Sequence, residues 1–370
     1  MKIKDIIICS LLIPSLTACI KPEAPNAEAD IIRCILPDGY LTGNEIDYNT
    51  PYDNSLNAFT LDVEVNKNVD LSTLEPRFEL TPGAVIEPAS GTRHDFSSHP
   101  VRYEVTSQDG KWHRMYSVSI HHPEILDFPD VLSFEKADKS QGYYIFKEGD
   151  LVWCSGNGGY RLTNKNAPAE EYPTCYSPDG YKGGCALLTT RTTGSLGSLG
   201  GKPIAAGNLF IGSFNVGMAM SNSLGATRFG TPYTGKPKAI EGWFKYESGP
   251  RFLEDGEYID KVDHGNIIAI LFERTDSVRM LDGHTSAANW EHPNMVAIAS
   301  MPQTPVTKEW TQFHLDFDYD RYMRRIDPDK LARGGYALSL IFSSSADGGD
   351  FKGSPGSTLW IDEVRIINEE

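Results

Sequence analysis

The chain has 370 residues and a formal net charge of −16, which excludes the concentrated basic footprint that a nucleic-acid partner needs. Its length exceeds what one hydrophobic core usually serves, so two domains are expected. Aromatic residues at 11% and hydrophobic residues at 40% argue for folded material over most of that length.

The first residues read as an address. Lys2 and Lys4 precede an apolar stretch from Ile6 to Leu16 that is too short to span a bilayer, and Leu16, Thr17, Ala18 and Cys19 follow. This arrangement resembles a bacterial lipoprotein signal over residues 1–18, which implies cleavage before Cys19, lipid attachment at Cys19 and stable anchoring by several acyl chains. An ordinary secretory signal with a chance cysteine is the alternative. Ile20, where an aspartate would retain the protein at the inner membrane, points to the outer membrane. Residues 19–29, rich in Pro, Ala and Glu, read as a flexible tether.

From residue 30 to 123 short alternating runs are separated by turn chemistry. In FTLDVEVN, Phe59, Leu61, Val63 and Val65 alternate with polar residues, and Gln108, Asp109 and Gly110 mark a hairpin between two further strands. Such spacing without helical periodicity indicates a small β-sandwich. The segments LTPGAVIEPASG, DFSSHPVRYEVTSQDG and YSVSI resemble an immunoglobulin-like domain at the N-terminus of Bacteroidetes surface lipoproteins, a resemblance that implies a spacer. His121 and His122, followed by Pro123 and Glu124, end this block. Adjacent strand residues point to opposite faces and do not readily chelate one ion, so both histidines read as solvated interdomain residues.

The second block, 124–370, is again rich in strands. In LVWCSGNGGYRL, Trp153, Asn157 and Tyr160 read as an aromatic turn that either rims a ligand site or packs the end of a sandwich. Cys175 and Cys185 flank the turn-rich YSPDGYKGG, where one disulfide is possible in an export compartment and buried free thiols are the alternative. No cysteine spacing is CxxC, which argues against zinc. TTGSLGSLGGKP fails the phosphate-loop pattern because Gly201 and Lys202 are followed by Pro203, and it reads as a flexible hairpin connection.

Residues 205–246 read as two strands around a Gly/Ser/Thr/Pro-rich excursion. The second strand places Ile240, Gly242, Phe244 and Tyr246 on a core face, and Glu241, Trp243, Lys245 and Glu247 on the other. HGNIIAILF is apolar on both faces and predicts a central strand covered on both sides. EWTQFHLDFDY turns Thr311, Phe313, Leu315, Phe317 and Tyr319 inward and Trp310, Gln312, His314, Asp316 and Asp318 outward. Residues 327–332 suit one helical turn, YALSLIFS another strand, and STLWIDEVRII the last. An all-β chain is expected, with an immunoglobulin-like β-sandwich followed by a larger jelly-roll β-sandwich.

The segments AAGNLFIGSF, ATRFGTPY, GWFKYESG and SSSADGGDFKGSPGSTLWIDEVRI occur in order over the second block. They resemble the putative carbohydrate metabolism domain of Bacteroidetes lipoproteins. The resemblance implies a jelly-roll with a role in glycan use. It also implies a polysaccharide or oligosaccharide partner, contact with the membrane through the lipid anchor, and contact with the proteins of a glycan-uptake machinery. It does not supply a reaction, because sandwich folds host binding and catalysis alike.

Three chemistries can be read onto these residues. In the first, Trp243 and Trp310 offer aromatic platforms while Glu241, Lys245, Gln312, His314 and Asp316 bond sugar hydroxyls; Trp153 and Tyr160 are further candidates. In the second, Glu241 and Asp316 serve as acid and nucleophile or base of a glycosidase or lyase. The Glu-x-Asp-x-x-Glu pattern of jelly-roll glucanases is absent, however, since Glu45-Ile46-Asp47 is followed by Asn49 and Thr50 in the other domain. In the third, resemblance to sugar-binding jelly-rolls makes Glu135 and Asp362 candidates for a structural calcium, with Asp347 and Asp350 as oxygen ligands in a glycine-rich loop. No cofactor is required by any of these readings. An adhesin or structural surface protein is the remaining class.

Overall fold

The structure is a computed structural model and describes residues 24–43, 52–53, 56–275 and 278–369. The leader, Cys19 and the Glu45-Ile46-Asp47 run lie outside the described residues. The chain is all-β and forms two sandwiches with separate cores, one gathered from Ala29 to Ile120 and the other from Leu132 to Val364.

In the first sandwich, Ile31–Ile35 pairs with Arg77–Leu80. The facing sheet runs in the order Leu41–Gly43, Ala58–Val65, His113–His121, Val101–Thr106, Val85–Glu87. The alternation read from the sequence is the physical basis of this packing: Leu61, Val63 and Val65 enter the core beside Tyr103, Val105 and Val118. Val101–Thr106 and His113–His121 form the expected hairpin, and Gly110 turns it with φ +68°, a conformation glycine adopts without a Cβ penalty. His121 is not a solvated linker residue. It ends the last strand half-buried, and its Nε2 lies 2.9 Å from Asp62, which pushes the imidazole pKa up.

The second sandwich has a five-stranded sheet in the order Thr174–Ser177, Cys185–Thr189, Thr358–Asn368, Pro237–Glu247, Thr307–Asp316. Opposite it lie Asn208–Phe210, Tyr336–Ser343, Asn266–Glu273 and Met295–Met301, with Thr231–Tyr233 also paired to Tyr336–Ser343. Ile240, Phe244, Tyr246 and Phe313 fill the space between the sheets. Gly242 leaves room there, since a Cβ would stand 3.0 Å from both Phe313 and Val364.

Asn266–Glu273 is buried on both sides, as its unbroken apolar run predicts. Ile267, Ala269 and Leu271 enter the central core, whereas Ile268, Ile270 and Phe272 enter a second cluster with Phe210, Phe229 and Trp290. Over that outer cluster lie a small sheet of Gly212–Phe214, Thr227–Phe229 and Leu281–Asp282 and the short helices Ser223–Ala226 and Gly283–Ala287. The Gly/Ser/Thr/Pro-rich excursion is thus a structured cover. Likewise, TTGSLGSLGGKP joins the paired Arg191–Thr192 and Ile204–Ala205 through a helix, Gly194–Leu199.

The two sandwiches meet at a buried ion pair. Arg274 of the second reaches Glu64 of the first through two 2.7 Å contacts, Nη1 to Oε1 and Nη2 to Oε2, with the two side chains 3% and 7% exposed. Arg279 approaches both Asp62 and Glu64 from the same side.

Candidate functional site on the open sheet face

The outward side of the five-stranded sheet gathers most of the residues singled out by alternation. Register places Glu241 opposite His314 and Trp243 opposite Gln312, and on the other flank Lys245 opposite Trp360. His314 lies between two carboxylates, with Nδ1 3.5 Å from Glu241 and Nε2 3.4 Å from Asp316. The Lys245 ammonium lies over the Trp360 ring, 4.2 Å from its centroid.

Trp243 is not a bare platform. Tyr181, from the turn at residues 178–184, stacks on it with centroids 3.8 Å apart and planes 9° from parallel. The same Tyr181 ring stands at 68° to Trp310, 6.4 Å away. Tyr181 is 46% exposed, so an open corner is formed by the outer face of Tyr181 and the indole of Trp310. Nothing in the local sequence marks Tyr181, whose segment YSPDGYKGG reads only as a turn between two cysteines.

Two carboxylates position that turn. Asp362, fully buried, accepts from the Lys182 N–H at 2.9 Å and from the Glu363 N–H at 2.8 Å. Glu135 accepts from the Gly184 N–H at 3.0 Å with both oxygens. Burial pushes the Asp362 carboxyl up to about 6. The two side chains named as calcium candidates therefore spend oxygens on backbone N–H groups of one loop. Asp347 and Asp350 lie far from them in the fold, around a cavity on the opposite sheet, and Asp347 pairs with Lys261 at 2.8 Å. Among the described residues no group of three or more His, Cys, Asp or Glu side chains is arranged to hold a metal ion.

Trp153 and Tyr160 do not lie on the open face. Trp153 is 3% exposed and packed between Phe134 and Phe342 in the central core, out of reach of a ligand. Tyr160 sits on a helix, Asn157–Thr163, beside the cavity rather than beside the open face. Cys175 and Cys185 are free thiols on adjacent strands; the register pairs them with Leu187 and Ser177, not with each other, and burial pushes both up to about 12.

Glu241 and Asp316 share one imidazole on one continuous surface. Glycosidic cleavage needs two carboxyl groups that flank the scissile bond; Glu241 and Asp316 stand on either side of the His314 ring on adjacent strands. The same face offers contacts for a sugar. Aromatic rings take the C–H side of a sugar, and imidazole, amide and carboxylate groups take its hydroxyls.

Fold and site together define a tandem β-sandwich protein of carbohydrate-related type. The chain belongs to the family described as "Putative carbohydrate metabolism domain", whose model matches residues 133–367. The model "SGBP, N-terminal" matches residues 48–120. A solved structure from Bacteroides thetaiotaomicron, named a "putative glycoside hydrolase", is 43% identical over 95% of this chain and 99% of its own, with a TM-score of 0.65. Another of the same description from Bacteroides vulgatus is 47% identical over 66% of this chain and all of its own, with a TM-score of 0.64. No curated protein matches the chain.

Proposed function

We propose that the protein binds polysaccharide or oligosaccharide along the open face of the five-stranded sheet, and does so as a lipoprotein anchored through Cys19 at the outer membrane. The observation that carries this reading is the corner of Tyr181 and Trp310, with Trp243 stacked behind the former. An exposed tyrosine held flat by an indole and clamped at its backbone by two carboxylates is preorganised, which limits the ordering cost of binding. His314, Gln312 and Glu241 beside it supply donors and acceptors for hydroxyls. A chain presented from a lipid anchor by a spacer sandwich suits hand-over to the proteins of a glycan-uptake machinery.

Calorimetric titration of the full chain with a panel of soluble polysaccharides tests this. Saturable binding that weakens in Tyr181→Ala and Trp310→Ala supports it, and binding to no glycan, or binding indifferent to both changes, rejects it. A second reading, glycoside hydrolysis, is favoured by the descriptions of the two similar structures. Incubation with the same panel separates the two: new reducing ends that persist in the Glu241→Gln, Asp316→Asn double variant would show catalysis by other residues.

A further inference from the structure

The opposite side of the second sandwich carries a cavity of about 350 Å³. Its floor is the outer face of the sheet that does not bear the open site. Register aligns Asn208, Ser343 and Asn266 across three strands as a polar row, and Phe210, Ile341 and Ile268 as an apolar row beside it. Both rows line the cavity. Short helices wall it, contributing Tyr160, Gly197, Ser223 and Ser286, and the turn at 347–351 closes one side.

The polar groups in this space are incompletely matched. The Asn266 Oδ1 is shielded from solvent and accepts no hydrogen bond, an arrangement that costs free energy. The Asn208 Oδ1 accepts from the Gly156 N–H at 2.7 Å, which turns its amide nitrogen out as a donor. Lys202 touches Ser223 at 3.4 Å and the Phe351 ring at 4.2 Å. Among the described residues neither Lys202 nor Asp350 forms an ion pair.

We propose that this cavity is a second carbohydrate site, which takes one or two neutral sugar units end-on, apart from the face that binds a chain side-on. It rests on the carbohydrate reading above. An anionic ligand would meet Asp350 and a cationic one Lys202, whereas each hydroxyl of a neutral sugar both donates and accepts, and so serves Asn208 Nδ2, Lys202 and Asp350 together. The apolar row receives the C–H side of the ring. The volume lies at the lower end of small-ligand sites, which suits a chain terminus and not an extended polymer. The Asp347 and Asp350 carboxyls stand three positions apart in one turn on one wall, so the site binds and does not supply a flanking catalytic pair.

Saturation-transfer NMR on the full chain, with neutral methyl glycosides of the common hexoses, pentoses and deoxyhexoses and their disaccharides as probes, tests the assignment. The expected result is binding of at least one probe, weakened tenfold or more in Lys202→Met and blocked in Ala287→Trp, an exposed rim position whose substitution leaves the core intact. Tyr181→Ala and Trp310→Ala leave that signal unchanged. Failure of every probe to bind, or binding that survives both cavity variants, overturns the proposal. Neither result touches polysaccharide binding at the sheet face, whose loss would be seen separately in the titrations.

Discussion

Tyr181 lies flat on Trp243, ring centroids 3.8 Å apart, although the two belong to a loop and a strand more than sixty positions apart in sequence. The contact turns a sheet residue into a support and a loop residue into the exposed surface. Tyr181→Ala removes the outer ring and uncovers the indole beneath. Affinity for glycan is expected to fall about tenfold, equivalent to about 1.4 kcal/mol, with little change in melting temperature because Tyr181 is 46% exposed. Calorimetric titration and a thermal melt check both halves of this expectation.

The loop clamp and a left-handed backbone make alanine costly at Gly183. Its φ is +74°, and a Cβ would lie 1.9 Å from the Glu135 Oε1. Gly183→Ala must therefore expel the carboxylate from the Gly184 N–H as well as strain the backbone. A destabilisation of about 1–3 kcal/mol is expected, accompanied by a loss of glycan affinity similar to that of Tyr181→Ala. Denaturant unfolding and titration of this one variant measure both; unaltered binding would detach the clamp from the site.

Asp362 gives the second sandwich a pH signature. Its folded pKa of about 6 stands above the unfolded value near 3.9, so the folded state holds the proton more tightly. The contribution of this group to stability is fully present below about pH 4 and is lost as pH rises through about 6, by at most about 3 kcal/mol. Asp362→Asn removes that dependence. Urea unfolding of both proteins at intervals from pH 4 to 7 should show curves that diverge across this window; parallel curves would contradict it.

At the domain junction, Glu64→Ala leaves the Arg274 guanidinium buried without its carboxylate. Breaking one half of such a pair costs about 3–5 kcal/mol, so the melting temperature of the full chain is expected to fall by several degrees. Scanning calorimetry reads this directly. A melt unchanged from the wild type would mean that the two sandwiches do not depend on this contact.

Much of this architecture was legible in the chain because a strand's period of two is a local property. Phe244 and Tyr246 went inward, and Glu241 and Trp243 outward, as alternation requires, and the apolar run of Asn266–Glu273 marked a strand covered on both sides. The site was only partly legible. Tyr181 owes its position to Glu135 and Asp362, partners about fifty and one hundred and eighty positions away, and no local pattern announces such a contact. Trp153 misled for the converse reason: its turn-like neighbourhood suggested a rim, while Phe134 and Phe342 bury it. The cavity depended on cover segments whose glycines and serines resemble loop composition.

The central claim is that sugar rests on the corner of Tyr181 and Trp310. A crystal structure of the full chain soaked with the tightest-binding oligosaccharide tests it most directly. The expected result is a sugar ring on the outer face of Tyr181, its edge toward Trp310 and its hydroxyls within hydrogen-bond reach of His314, Gln312 or Glu241. A sugar bound elsewhere, with that corner empty, would contradict it.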